Sequence, residues 1–149
     1  MKLALKYGLL IALGAIAWVV ISHVLVRDPR SMLHSLGAVI VFNVLQFVGI
    51  YFGISAKSRE AGARLTFKES LKTGVAISFF YALTMAVFFV GALLIVGSRM
   101  MAAESSSTEP IAQTAAKAFA GMFFGPLVFG LLYSTVISFV VAKRFSEQA

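Results

Sequence analysis

The 149-residue chain contains no cysteine, only three prolines and only six acidic residues. Without a thiol there is no disulfide, no thiolate metal site and no cysteine nucleophile, and nothing reports on the redox compartment. Charge of either sign is scarce as well: 13% of residues, against about 25% in an ordinary soluble domain. That scarcity excludes a disordered regulator, which stays unfolded through low hydrophobicity and high net charge. What fills the chain is apolar. Hydrophobic residues make up 60%, where soluble domains carry roughly 45–50%, and so short a chain has too little interior to hide the excess. The composition predicts a lipid solvent.

The length of the apolar runs agrees. A helix needs about 20 apolar residues, at about 1.5 Å each, to cross a hydrocarbon core roughly 30 Å thick. Four stretches qualify, at about residues 3–26, 32–56, 71–98 and 118–142. No ten-residue alternating pattern of a membrane barrel is present, and open strands cannot span lipid. The first run opens like a signal peptide, with Lys2 and Lys6 before an apolar centre and Ala15-Ile16-Ala17 as a small-residue pattern, but it continues through Trp18-Val19-Val20-Ile21 to Val26. That is a full span rather than a short signal core. The sequence therefore predicts an all-α membrane protein, a four-transmembrane-helix bundle forming a single integral domain over residues 1–149.

Basic residues near the span ends predict the orientation. Lys2, Lys6, Lys57, Arg59, Arg64, Lys68, Lys72, Lys143 and Arg144 fall on one side; Arg27, Arg30, Arg99 and Lys117 fall on the other. The richer side is expected in the cytoplasm, with both termini and the middle loop. Topology and attraction to anionic headgroups then account for the net charge of +7, and nucleic acid is not expected as a partner.

The connections carry start and stop signals. Asp28-Pro29 offers an N-cap and a first-turn proline for the second helix. Ala61-Gly62-Ala63 ends that helix region, and Thr66-Phe67-Lys68-Glu69 has capping-box spacing, which starts the third helix near Phe67. In the outer loop, at residues 102–109, Ser105-Ser106-Ser107 lies between Glu104 and Glu109. Thr108-Glu109-Pro110 reads as the start of a fourth helix that projects before entering lipid.

Two openings match: Leu5-Lys6-Tyr7-Gly8 before the first span and Leu71-Lys72-Thr73-Gly74 at the third, with Ile11 and Ile77 in register. Val41–Glu60 also aligns with Val128–Glu147, sharing Val41/Val128, Phe42/Phe129, Leu45/Leu132, Ile50/Ile137, Phe52/Phe139 and Glu60/Glu147. Two readings stand: a tandem repeat of one helical hairpin, a device some transporters use, and a likeness imposed by lipid on any two apolar helices.

The Leu-Lys-Tyr-Gly opening, Tyr51-Phe52-Gly53-Ile54-Ser55-Ala56-Lys57 and the stretch from Leu65-Thr66-Phe67-Lys68-Glu69 through Ser70-Leu71-Lys72-Thr73-Gly74 resemble the bacterial membrane proteins grouped as domain of unknown function 4199. The resemblance covers most of the chain. It implies a small four-span protein of the bacterial inner membrane and supplies no activity.

Ionisable groups inside a span are costly and usually functional, yet Asp28, Glu60, Glu69, Glu104, Glu109 and Glu147 all sit in loops or at ends. The usual carrier of a proton relay or sodium site is therefore missing. Lys6 and Lys72 lie about a turn inside and read as snorkelling interfacial anchors. His23 and His34, both near the outer boundary, are too few for zinc with Asp28 alone beside them; they read as a solvated interfacial pair. Trp18 toward the outer side, with Tyr7 and Tyr51 toward the inner, reads as aromatic belts. No phosphate loop, paired helical carboxylates or serine–base constellation appears, so neither an enzyme nor a cofactor is expected.

Packing signals are richer. Gly49-x-x-x-Gly53 and Gly121-x-x-x-Gly125 have the spacing that lets helices approach closely in lipid, and Ala4, Gly8, Ala12 and Ala15 form a third small stripe. Each reads as an internal seam before a partner or homodimer face. Pro126 should kink the fourth span. Gln46, Tyr81 and Tyr133 lie about 16, 13 and 15 Å from the inner basic residues Lys57, Lys72 and Lys143 at about 1.5 Å per residue, all near the midplane. Ser35, Gln46 and Gly53 share one face of the second helix, with Asn43 beside them. This face is expected to point inward, with Gln46 bonded to Tyr81, Tyr133, Thr84 or Ser134, since an unpaired amide in hydrocarbon costs a few kcal/mol.

Two functional classes fit: a structural or accessory protein that packs against itself or another membrane protein, and a component of a transporter or channel with a polar mid-membrane site. The basic-residue asymmetry makes a separate prediction. Reporter fusions at the C-terminus should read cytoplasmic and fusions within residues 102–109 should read external; the reverse pattern overturns the orientation.

Overall fold

The computed structural model describes residues 1–25, 32–62, 65–96 and 110–146. These form four helices: α1 (Lys2–Leu25), α2 (Met32–Ala61), α3 (Phe67–Val96) and α4 (Ile111–Ser146). All four are long and apolar enough to cross a membrane, and there is no strand among the described residues. The chain is an all-α four-helix bundle. The helices outrun the apolar runs: α2 continues past residue 56 to Ala61, α3 begins at Phe67 and α4 begins at Ile111. At 36 residues, α4 is about 54 Å long, well beyond a hydrocarbon core of roughly 30 Å. Helical propensity does not stop where hydrophobicity does, so polar ends extend into the headgroup region.

Local chemistry explains the ends. After Ala61 the chain turns at Gly62, whose φ of 57° is left-handed, and its N–H donates to Arg59 O at 3.2 Å. This is the glycine termination that other residues adopt at a cost. Thr66 and Glu69 close a capping box: Thr66 N donates to Glu69 Oε2 at 2.9 Å and Glu69 N donates to Thr66 Oγ1 at 3.3 Å. At the start of α4, Pro110 O accepts from Gln113 N at 2.9 Å and Thr114 N at 3.2 Å. The caps expected from Asp28-Pro29 and from Thr108-Glu109 lie outside the described residues.

Successive helices run antiparallel. Tyr7 packs against Gly53, Ile11 against Gly49 and Leu45 against Gly14, which sets the α1/α2 register. In α3/α4, Gly74 meets Ser134 and Gly130 meets Ser78, while the Phe67 and Phe139 rings lie 5.0 Å apart. The first end of α1 and the last end of α4 thus lie on one side. Helix α3 is the hub: it touches all three others and supplies the buried Ile77, Tyr81, Ala82, Met85, Ala86 and Leu93. Ala4, Gly8, Ala12 and Ala15 are all buried, and Gly8 lets α1 rest on the backbone of α3 at Ile77 and Tyr81. Outside, Leu13, Ile40, Val87, Leu94 and Val128 are exposed, the inverse of a soluble surface and the expectation for a lipid-facing one.

The hairpins do not repeat contact for contact. The positions equivalent to Ile11 and Gly49 in the aligned halves are Ile77 and Val136; Val136 is largely exposed, and Ile77 packs on Gly53 of α2.

The tightest seam lies between α3 and α4. Gly74-x-x-x-Ser78 and Gly130-x-x-x-Ser134 interlock reciprocally, each serine filling the space that the opposing glycine leaves. Each hydroxyl is satisfied on its own helix: Ser78 Oγ donates to Gly74 O at 3.0 Å and Ser134 Oγ to Gly130 O at 2.6 Å. In lipid, close van der Waals contact of this kind takes over from hydrophobic collapse as the driving force. Leucine at Gly130 would collide with Ser78 and Gln46, so Gly130→Leu should destabilise the protein by about 1–3 kcal/mol or more, the usual range for overpacking. Gly91→Leu, at a position with open space around it, should leave thermal unfolding in detergent near wild type. Equal behaviour of the two variants would refute the seam.

Candidate functional site: a polar clasp and cleft between α2 and α4

Helices α2 and α4 touch sparingly, and polar groups bridge them. Gln46, only 3% exposed, donates from Nε2 to the carbonyl oxygen of Pro126 at 2.7 Å. Three residues earlier on α2, Asn43 Oδ1 accepts from Tyr133 Oη at 2.6 Å, while Asn43 Nδ2 donates to Val39 O of its own helix at 2.7 Å. The Phe47 and Phe129 rings flank Tyr133, with centroids at 5.6 and 6.1 Å. The polar face of α2 thus turns inward, and its amides bind two points on α4.

The partner of Gln46 differs from the expected hydroxyls. Thr84 Oγ1 donates to Phe80 O at 2.8 Å and Ser134 Oγ to Gly130 O, so both hydroxyls are used within their own helices, and Tyr133 is taken by Asn43. Tyr81, the fourth expected partner, makes no bond to Gln46, whose amide donates instead to the backbone carbonyl of Pro126 itself. Pro126 does not end α4, which runs unbroken from Ile111 to Ser146. It does remove one backbone donor, so the carbonyl of Met122 loses its i+4 partner.

Beside the clasp is a cavity of about 190 Å³, lined from α2 by Val39, Phe42, Asn43 and Gln46, from α3 by Tyr81 and Met85, and from α4 by Met122, Gly125, Pro126 and Phe129. Tyr81 is 2% exposed, yet its phenol has no hydrogen-bond partner among the described residues. Of the lining residues, Val39 and Phe129 are exposed on the apolar outer surface of the bundle, so the cavity opens sideways between α2 and α4.

The glycine pairs divide. Gly49 and Gly53 face Ile11, Ile77 and Tyr7, an internal seam, whereas Gly121 and Gly125 have nothing within 4 Å. The expectation that Gly121-x-x-x-Gly125 is an internal seam is therefore corrected. A glycine pair four residues apart creates a flat face, and only the bundle geometry decides where that face looks. Spacing on α3 and α4 concealed the true seam, because Gly74/Ser78 and Gly130/Ser134 have the small-x-x-x-small pattern with serine in place of the second glycine. The same register carries Ser70 opposite Ser138, both buried, with hydroxyls unpartnered among the described residues.

Of the interfacial residues, Lys6 and Lys72 are exposed, with Lys6 Nζ 5.9 Å from the centre of the Tyr7 ring. Trp18 is half-buried, and its Nε1 has no partner among the described residues. The side chains of His23, His34 and Ser35 lie outside the described residues.

These features define the class: a multi-pass membrane protein built as a four-helix bundle with an internal polar clasp. No family model matches the chain, nor does any curated protein or solved structure.

Removing the amide should show what the clasp contributes. Gln46→Leu should lower stability by about 0.6–2 kcal/mol, the range for a hydrogen bond between membrane helices, measured by thermal unfolding in mild detergent. An unchanged midpoint would mean that the bond to Pro126 carries no weight.

Proposed function

We propose that this protein is a structural or accessory component of a membrane, acting by lateral packing of α4 against another membrane-embedded helix, from a second copy of itself or from a different protein. The observation that carries this reading is the flat Gly121/Gly125 face of α4. Gly8, Gly49, Gly53, Gly74 and Gly130 each have a neighbour pressed against them, while Gly121 and Gly125 have nothing within 4 Å; Gly37 and Gly91 are open too, but neither has an open glycine one turn away. Exposed leucine or valine on a membrane helix is ordinary, because lipid tails solvate it. A glycine face gains little from disordered lipid tails and much from a close-fitting backbone. Its flanks are Phe124 and Val128, both exposed, and they would pack as ridges beside such a partner.

The resemblance to the domain of unknown function 4199 family and the basic-residue asymmetry support a bacterial inner-membrane location with both termini in the cytoplasm. A transporter or channel component is the second reading, favoured by the cleft at Gln46. That cleft contains amide and phenol groups but no acid or base beyond the phenol, so it offers no counter-charge for an ion.

The test is association. Gly121→Leu should reduce crosslinking or co-purification in mild detergent at least several-fold while leaving thermal stability intact, because a Cβ there has no neighbour within 4 Å among the described residues. Unaltered association, or no association of the wild-type protein with itself or any co-eluting protein, would refute lateral packing through this face.

A further inference from the structure

We propose that the cleft between α2 and α4 binds a neutral, lipid-dissolved molecule with a one-ring head bearing a hydroxyl or carbonyl oxygen, of the phenol and quinone type. Its tail would leave through the lateral mouth. The inference does not rest on the packing of α4 against a partner, although the two share Gly125 at the edge of the cleft.

Four observations converge. The first is size: a cavity of about 190 Å³ exceeds the roughly 150 Å³ that accommodates a benzene ring. The second is wall chemistry. Phe42 and Phe129 offer ring faces and edges, and Met85 and Met122 are adaptable thioethers that fit themselves to an irregular guest. The third is polarity at one end. Tyr81 is almost wholly buried, and its phenol, unpaired among the described residues, can both donate and accept. Gln46 uses one N–H on Pro126 and still carries a second N–H and a carbonyl oxygen. An unpaired phenol in an apolar setting is costly, and a guest oxygen bonded to it removes that cost. The fourth is access. The rim residues Val39 and Phe129 are exposed on the lipid side, and Gly125 puts no side chain across the opening. A guest therefore enters from the bilayer, which favours a lipophile over a water-soluble metabolite. The lining holds no fixed charge, so a charged head would lose its hydration without compensation.

The probe is an alkylphenol bearing a photoreactive diazirine, applied to the full chain in mild detergent, with the labelled residues mapped by mass spectrometry. Saturable labelling of α2 and α4 around the cleft is expected, displaced by excess alkylphenol lacking the diazirine. Tyr81→Phe removes only the hydroxyl and should weaken apparent affinity about 5-fold, the worth of one neutral hydrogen bond. Met122→Trp fills the cavity and should abolish saturable labelling, with circular dichroism and elution volume confirming that both variants fold. Gly121→Leu, outside the cleft, should leave labelling unchanged, which separates loss of association from loss of binding. Non-saturable labelling spread over the lipid-facing surface, or saturable labelling that neither cleft variant alters, would overturn the proposal.

Discussion

A carboxamide held at mid-depth in hydrocarbon has no water to fall back on, so the protein must supply its partner or keep it out of the bilayer. Gln46 is held there, and its partner is the carbonyl of Pro126 on the helix farthest from α2 in sequence. Without that bond, and the Tyr133–Asn43 bond three residues away, α2 would be attached mainly through α1 and α3. The two bonds make the bundle a closed ring of helices. Interhelical hydrogen bonds in membranes contribute only about 0.6–2 kcal/mol each, so their role is geometric as much as energetic: they fix which face of α2 turns inward.

Closure rests on close approach elsewhere. Gln46 reaches α4 because α4 already lies against α3, with Gly130 placed where a side chain would strike both Ser78 and Gln46. The reciprocal glycine–serine interlock and the amide clasp therefore share one layer of the bundle. A substitution in that layer acts on three helices together, whereas a side chain added at Gly91 starts in open space. Stability is concentrated where small residues and polar groups coincide, because lipid tails solvate the large apolar side chains as well as the protein interior does.

The sequence made the architecture legible through local or length-dependent signals. Four runs of sufficient length gave four helices, and Thr66 with Glu69 marked the start of α3 because a capping box is complete within four residues. The inward turn of Gln46 and Asn43 followed from the cost of unpaired amides in lipid. Their partners did not follow. Depth along each helix pointed to side-chain hydroxyls, but Thr84 and Ser134 bond within their own helices, and no residue letter marks the backbone carbonyl of a proline as an acceptor. Glycine spacing likewise revealed flat faces but not their directions. Gly49 and Gly53 meet neighbouring helices and Gly121 and Gly125 do not, a difference set by the relative rotation of whole helices, which depends on contacts far apart in sequence.

The bilayer also explains why a cleft persists beside the clasp. In a water-soluble protein, a gap of this volume flanked by phenylalanine and methionine would close, because apolar surface gains by leaving water. In lipid that pressure is absent: an acyl chain or another lipophile solvates the same walls equally well. Gly125 and Pro126 supply little side-chain volume on the α4 side, and the clasp holds the helices at a fixed separation, so the space between them stays available. The functional signals of such a protein are thus inverted from those of a soluble one. Exposed leucine and valine carry no information, whereas an uncovered glycine face and an unpaired phenol at a cavity wall are the features that need a physical account.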